Sequence, residues 1–222
     1  KTYADRAAET IRQSARDITI GVKDAVTALL EKLLAKDIDA ALGDEKTAAD
    51  YEARAVRLRD AIERHFGAEL HGFKTYRYYD GCNVLRSWIG SPLCVGIFDR
   101  AQGTADALLS PYLRTRNAGL LSAEGEPTGI TWDRSQLYAF RGIFAAGLGD
   151  RGWDDFVAYS RTRLLGEHVP YPVEAWPEGD MRHLSAESAL YCRAVTEGLV
   201  RLRVVLHDPF PEHRSVTRLR IH

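Results

Sequence analysis

Two tryptophans of this 222-residue chain stand beside carboxylates, in Trp132-Asp133-Arg134 and in Glu174-Ala175-Trp176. A flat ring stacks on the C–H face of a pyranose, while carboxylates and guanidinium groups bind its hydroxyls. A carboxylate placed to accept a proton activates water. Glycoside hydrolysis generally uses two such groups, one acid and one base. The pairing therefore points to a carbohydrate. Each residue also has a plainer reading. Trp132 to Ser135 read as a helix entry, with Asp133 or Ser135 capping. Glu174 lies between Pro172 and Pro177 and reads as a solvated loop carboxylate. Tyr76, Tyr78 and Tyr79 suit a strand or core as well as a sugar platform, and Asp80-Gly81 is a turn dipeptide. Glu178-Gly179-Asp180 reads as a polar turn, since oxygen-ligated metals need more ligands. Arg182 and His183 suit the orienting of neighbouring groups.

Other chemistries find less support. Cys82, Cys94 and Cys192 lie far apart, without the spacing of a zinc site or a disulfide framework. They read as small buried hydrophobes. The seven histidines show no paired ligand spacing, so neither a metal nor another cofactor is expected. Lys+Arg 30 against Asp+Glu 31 leaves a net charge of −1, which argues against nucleic acid as a partner. The basic end, Arg214 to His222, reads as a solvated tail. No apolar run is long enough for a membrane span. The compartment is not legible. The sole methionine is Met181 and the chain opens at Lys1, which suggests a processed or truncated chain.

Helical periodicity runs through most of the sequence. One apolar stripe runs from Ile11 to Leu34, with Gly43 as its stop. A second spans Tyr51–Phe66, with Thr47 and Asp50 as a capping box. Ser91-Pro92 opens a third helix that continues to Ala101, and Gly103-Thr104 a fourth. Further helices start at Ser135, near Trp153 and at Ser185. Strand patterns are confined to Tyr76–Tyr79 and Val216–Ile221. The connections alternate in length, the long ones being 67–84, 116–134 and 166–184. In a series of antiparallel helices this alternation places the long loops at one end, as a functional face. Residues 46–65 carry nine charged groups and residues 135–149 only Arg141, so the former are outer and the latter inner. The N-termini of the helices after the long loops would point into that face. The expected fold is all-α.

These motifs in this order resemble a known family. Asp24-Ala25-Val26 with Leu29-Leu30, the helix Tyr51–Phe66, and Gly72-Phe73 with Tyr79-Asp80 come first. Ser91-Pro92-Leu93, Gly119-Leu120-Leu121, Trp132-Asp133 and Glu174-Ala175-Trp176 follow. Over residues 17–200 the set resembles the second half of the six-hairpin (α/α)6-toroid glycosidases, in particular trehalases and mannosyl-oligosaccharide-glucosidase-like enzymes. It departs from trehalases at Arg134-Ser135-Gln136-Leu137 and at Ala175, which bears on the substrate more than on the reaction class. The resemblance implies helical hairpins forming about half of an (α/α)6 toroid over residues 1–206, followed by an unassigned tail, 207–222. It implies an inverting glycoside hydrolase with Glu174 as general base. Trp132, Asp133, Arg134, Trp176, Tyr79, Asp80, Glu178 and His183 would line the sugar site. The family's general acid, an Asp far upstream, would fall before Lys1.

Two other functions stay open. A glycoside phosphorylase would use Arg182, His183 and Ser185 to bind phosphate. A non-catalytic helical-repeat scaffold would bind a protein or a glycan. Half a toroid would also leave apolar helix faces uncovered, so the isolated chain is expected to be inactive and to self-associate.

Overall fold

A computed structural model describes residues 21–115, 119–127, 131–165, 171–176, 185–200, 203–206 and 217–220. Helices α1 (Val22–Ala41) and α2 (Glu45–Phe66) form an antiparallel pair. Gly43, at φ +80°, makes the turn between them, a conformation glycine adopts without strain. The cap of α2 is Asp44, which accepts a hydrogen bond from the Thr47 backbone N at 3.0 Å. This replaces the expected capping box at Thr47–Asp50.

The stretch 67–84, expected as a loop, opens with a hairpin of β1 (Gly67–Leu70) and β2 (Phe73–Tyr76). Leu70 pairs with Phe73 across His71-Gly72, both at positive φ, as a two-residue primed turn requires. Ser87–Val95 is a 3₁₀ helix with Pro92 inside it, closed by Gly96 at φ +83°. The expected helix from Ser91 to Ala101 therefore does not form as one element. Helix α3 (Ala101–Leu108) begins before Gly103-Thr104, the expected stop and cap. Gly103 instead allows close packing on β2: a Cβ there would lie 2.3 Å from the Lys74 carbonyl oxygen. Beside it, the buried Thr75 and Thr104 hydroxyls are 2.9 Å apart.

Three further elements surround the candidate site. Strand β3 (Thr131–Trp132) runs directly into α4 (Asp133–Ala145), and α5 (Gly149–Leu164) follows. Helix α4 is the inner helix. Leu137, Phe140, Ile143 and Phe144 are buried on it, and the 3₁₀ helix, α3, α5 and α6 (Ser185–Arg193) pack around it. It starts at Asp133, two residues before the expected Ser135 start. Ser135 donates its hydroxyl to the Trp132 carbonyl at 3.0 Å. Strand β4 (Ala175–Trp176) pairs antiparallel with β3. After α6 comes a π-helical turn, Ala194–Leu199, also packed on α4. There Glu197 accepts hydrogen bonds from Arg141 and Arg193.

Strands β5 (Arg203–Leu206) and β6 (Thr217–Arg220) pair antiparallel, one on each side of the expected boundary at residue 206. The described residues thus include three two-stranded sheets besides the helices. This corrects the expected all-α fold and half toroid of plain helical hairpins: the described chain mixes α-helix, 3₁₀ and π turns and short antiparallel ladders. Of the cysteines, Cys82 is buried, Cys94 half-buried and Cys192 exposed, so the reading of all three as buried hydrophobes holds for Cys82 only. No helix among the described residues is long and apolar enough to cross a membrane.

Candidate functional site

The β3–β4 ladder brings the two tryptophan–carboxylate motifs together. Trp132 pairs with Ala175 and Thr131 with Trp176, and the Asp133 backbone N donates to the Glu174 carbonyl at 3.1 Å. Trp132 is 43% exposed, and the Glu174 side chain is 36% exposed. An apolar ring on β3 and a carboxylate directly before β4 thus both reach solvent.

Beneath them lies a buried network. Asp133 and Arg163 are both fully buried, and the Arg163 Nε donates to Asp133 Oδ1 and Oδ2 at 2.9 and 3.0 Å. Asp133 Oδ2 also accepts from the Val173 backbone N at 3.0 Å. Asp133 therefore holds the chain just before Glu174 through its carboxylate and at Glu174 through its backbone N–H. The Arg163 guanidinium lies over the Trp176 ring at 4.6 Å and over the Tyr159 ring at 5.2 Å, a cation–π arrangement that offsets part of its burial. Burial pushes the Asp133 carboxyl above its ordinary range, opposed by the Arg163 charge and the Val173 hydrogen bond. Burial also raises the Tyr159 hydroxyl well above its usual value, and the Asp133 charge adds to this. With no exposed surface, Asp133 positions the strand and does not line a sugar site as expected.

Arg134 links the ladder to α6. Its guanidinium contacts Glu187 Oε1 at 2.6 Å and lies 3.8 Å from Glu174 Oε1. The Glu187 side chain has no exposed surface, and among the described residues its buried Oε2 has no hydrogen-bond partner. The N-terminal ends of α4 and α6 thereby meet at one place, on either side of Arg134.

The other expected site residues lie apart. Asp80 is exposed and pairs with Arg77 at 3.3 Å, and Tyr79 stands edge-on to Tyr78. Among the described residues, no hydrogen bond, ion pair or ring contact joins Tyr79 or Asp80 to the β3–β4 ladder. Glu178, Arg182 and His183 lie outside the described residues, as does the side chain of Ser185. Among the described residues no group of three or more His, Cys, Asp or Glu is placed to hold a metal ion.

Sequence reasoning missed Arg163, Tyr159 and the packing role of Glu187. A signal was present for Arg163. Phe156, Tyr159 and Arg163 follow i, i+3, i+7 spacing, which puts an arginine on the apolar stripe of α5.

No protein-family model matches the chain, and no curated protein matches it. A solved structure named "Sialidase" is similar, with a TM-score of 0.67 and 15% identity over 82% of this chain. The chain spans 20% of that protein's length. At this identity the similarity is one of fold, and it replaces the expected trehalase-like half toroid as the structural reference.

Proposed function

We propose that this chain forms part of a glycoside hydrolase and that Glu174 is the carboxylate that deprotonates the attacking water. The observation that carries the reading is the β3–β4 ladder, which brings the exposed Trp132 on β3 and the solvent-reaching Glu174, directly before β4, onto neighbouring segments. Trp132 supplies a stacking face for the sugar ring. Glu174 supplies the acceptor for the proton. The Asp133–Arg163 pair below gives the Glu174 backbone a fixed position, and catalytic geometry tolerates only small displacements. The "Sialidase" name of a protein with a similar fold agrees with glycosidic substrates in general and makes sialosides one class to test. Inversion at the anomeric carbon is the expected stereochemistry. It requires a second, acidic carboxyl about 6.5–9.5 Å from Glu174 across the sugar. Asp133 and Glu187, the nearby carboxyls among the described residues, are fully buried and paired with arginines, so neither is assigned that role.

The test is hydrolysis of a panel of aryl glycosides by the full-length protein. The panel covers neutral hexoses in both anomeric forms and an aryl sialoside, with and without inorganic phosphate. The reading expects release of free sugar from at least one member without phosphate, with anomeric inversion seen by proton NMR. Turnover only with phosphate would instead identify a phosphorylase. Glycan binding with no turnover on any member would leave a binding scaffold.

A further inference from the structure

We infer that Glu187 is a positioning residue that draws the Arg134 guanidinium away from Glu174 and so leaves Glu174 free to accept a proton. This rests on the reading of Glu174 as proton acceptor and deepens it. Arg134 lies between two carboxylates and does not share itself equally. It is in hydrogen-bond contact with Glu187 at 2.6 Å, through both Nε and Nη2, and stands 3.8 Å from Glu174. The asymmetry has a physical cause. Glu187 has no exposed surface and, among the described residues, Oε2 has no partner and Arg134 is the cation that offsets its burial. Glu174 is partly solvated, and water stabilises its charge. A guanidinium in direct contact with Glu174 would favour its ionised form and weaken it as a base. Bound to Glu187, the same guanidinium stays near enough to contact a sugar hydroxyl beside Glu174.

The charged and titratable groups around Glu174 come from several elements. Helix α4 presents Asp133 and Arg134, α5 presents Arg163 and Tyr159, α6 presents Glu187, and Tyr171 lies in the same segment as Glu174. Asp133 and Arg163 neutralise each other at 2.9 Å. Among the described residues, Arg134 is therefore the charge whose distance from Glu174 depends on a second residue.

The test follows the Glu174 carboxyl by 13C NMR during a pH titration of the full chain, so it does not need activity. In Glu187→Gln the guanidinium is released, and the Glu174 midpoint is expected to fall. In Arg134→Ala the cation is gone, and the midpoint is expected to rise above that of the unsubstituted protein. In the double variant the midpoint should no longer fall below that of the unsubstituted protein, because no guanidinium is left to approach Glu174. An unmoved midpoint in Glu187→Gln with intact fold would overturn the inference. If Glu187→Gln does not fold, Glu187→Asp decides, since it keeps the charge but shortens the side chain that holds Arg134: a midpoint that does not fall overturns the inference as well. In an active protein, the acid limb of kcat/KM should move in the same directions. Shifted midpoints in a protein without hydrolysis would keep the inference about Arg134 and reject the reading of function.

Discussion

Asp133 and Arg163 form an ion pair with no solvent exposure on either side chain. Removing one partner of such a pair leaves an uncompensated buried charge. We expect Arg163→Met to lower unfolding stability in urea by about 3–5 kcal/mol, and Asp133→Asn/Arg163→Met together to cost less than the sum of the single changes. Additive costs would show that the two residues act separately. Trp132 stands at the other extreme, exposed and without a core role. Trp132→Ala should change stability by no more than about 0.5 kcal/mol and yet weaken glycan binding in calorimetry. Glu174 and Trp132 stood out in the sequence as candidates because each belongs to a tryptophan–carboxylate motif. Arg163 was not, because an arginine in an amphipathic helix is ordinarily solvated, and its partner is distant in the chain. Asp133 was seen, but its role was not: residue type does not distinguish a carboxylate that contacts a sugar from one that holds a strand.

Elements differ in how clearly they show in sequence. Helices α2 and α4 were legible because one is charged along its outer face and the other, from Ser135 onward, carries only Arg141. The β3–β4 ladder was not, because a two-residue strand is too short to show alternation. The hairpin β1–β2 was hidden because its turn, His71-Gly72, uses a residue uncommon at positive φ. Packing between elements makes a sharp prediction at Gly103. Gly103→Ala should lower stability by about 1–3 kcal/mol, since the new methyl meets the backbone of β2. Gly149, which has open space for a Cβ, is the control: Gly149→Ala should be neutral or stabilise by up to about 1 kcal/mol. Equal effects on melting temperature at both positions would contradict the close packing of α3 on β2. The π turn adds a pH dependence. Burial pushes the Glu197 carboxyl up, but hydrogen bonds and charges from Arg193 and Arg141 outweigh it and hold the carboxyl below its ordinary value of 4.5. A lowered carboxyl contributes stability that is full above that ordinary value and is lost as pH falls through the lower, folded-state value. The difference in melting temperature between the unsubstituted protein and Glu197→Gln should therefore be largest near neutral pH and vanish on acidification. A gap that persists in acid would assign the effect to packing.

On the scale of the molecule, α4 organises the whole. It carries the core on one side, and its N-terminus places Asp133 and Arg134 at the candidate site. Leu30, Leu34 and Val56 remain exposed on α1 and α2, and Trp153 on α5. On this basis the chain produced alone is expected to self-associate. Analytical ultracentrifugation should show species larger than a monomer whose share grows with concentration, and a single monodisperse monomer would contradict this. The broad helical character was legible from periodicity. The mixture with short ladders was not, because it depends on pairings between residues as far apart as Trp132 and Ala175.

The central claim is that Glu174 takes the proton from the attacking water, and Glu174→Gln in the full-length protein tests it most directly. The substitution keeps shape and removes the base. We expect kcat on a hydrolysed aryl glycoside to fall by about 10²–10⁴-fold while sugar binding, measured by calorimetry, survives. Turnover within a few-fold of the unsubstituted protein would remove Glu174 from the mechanism.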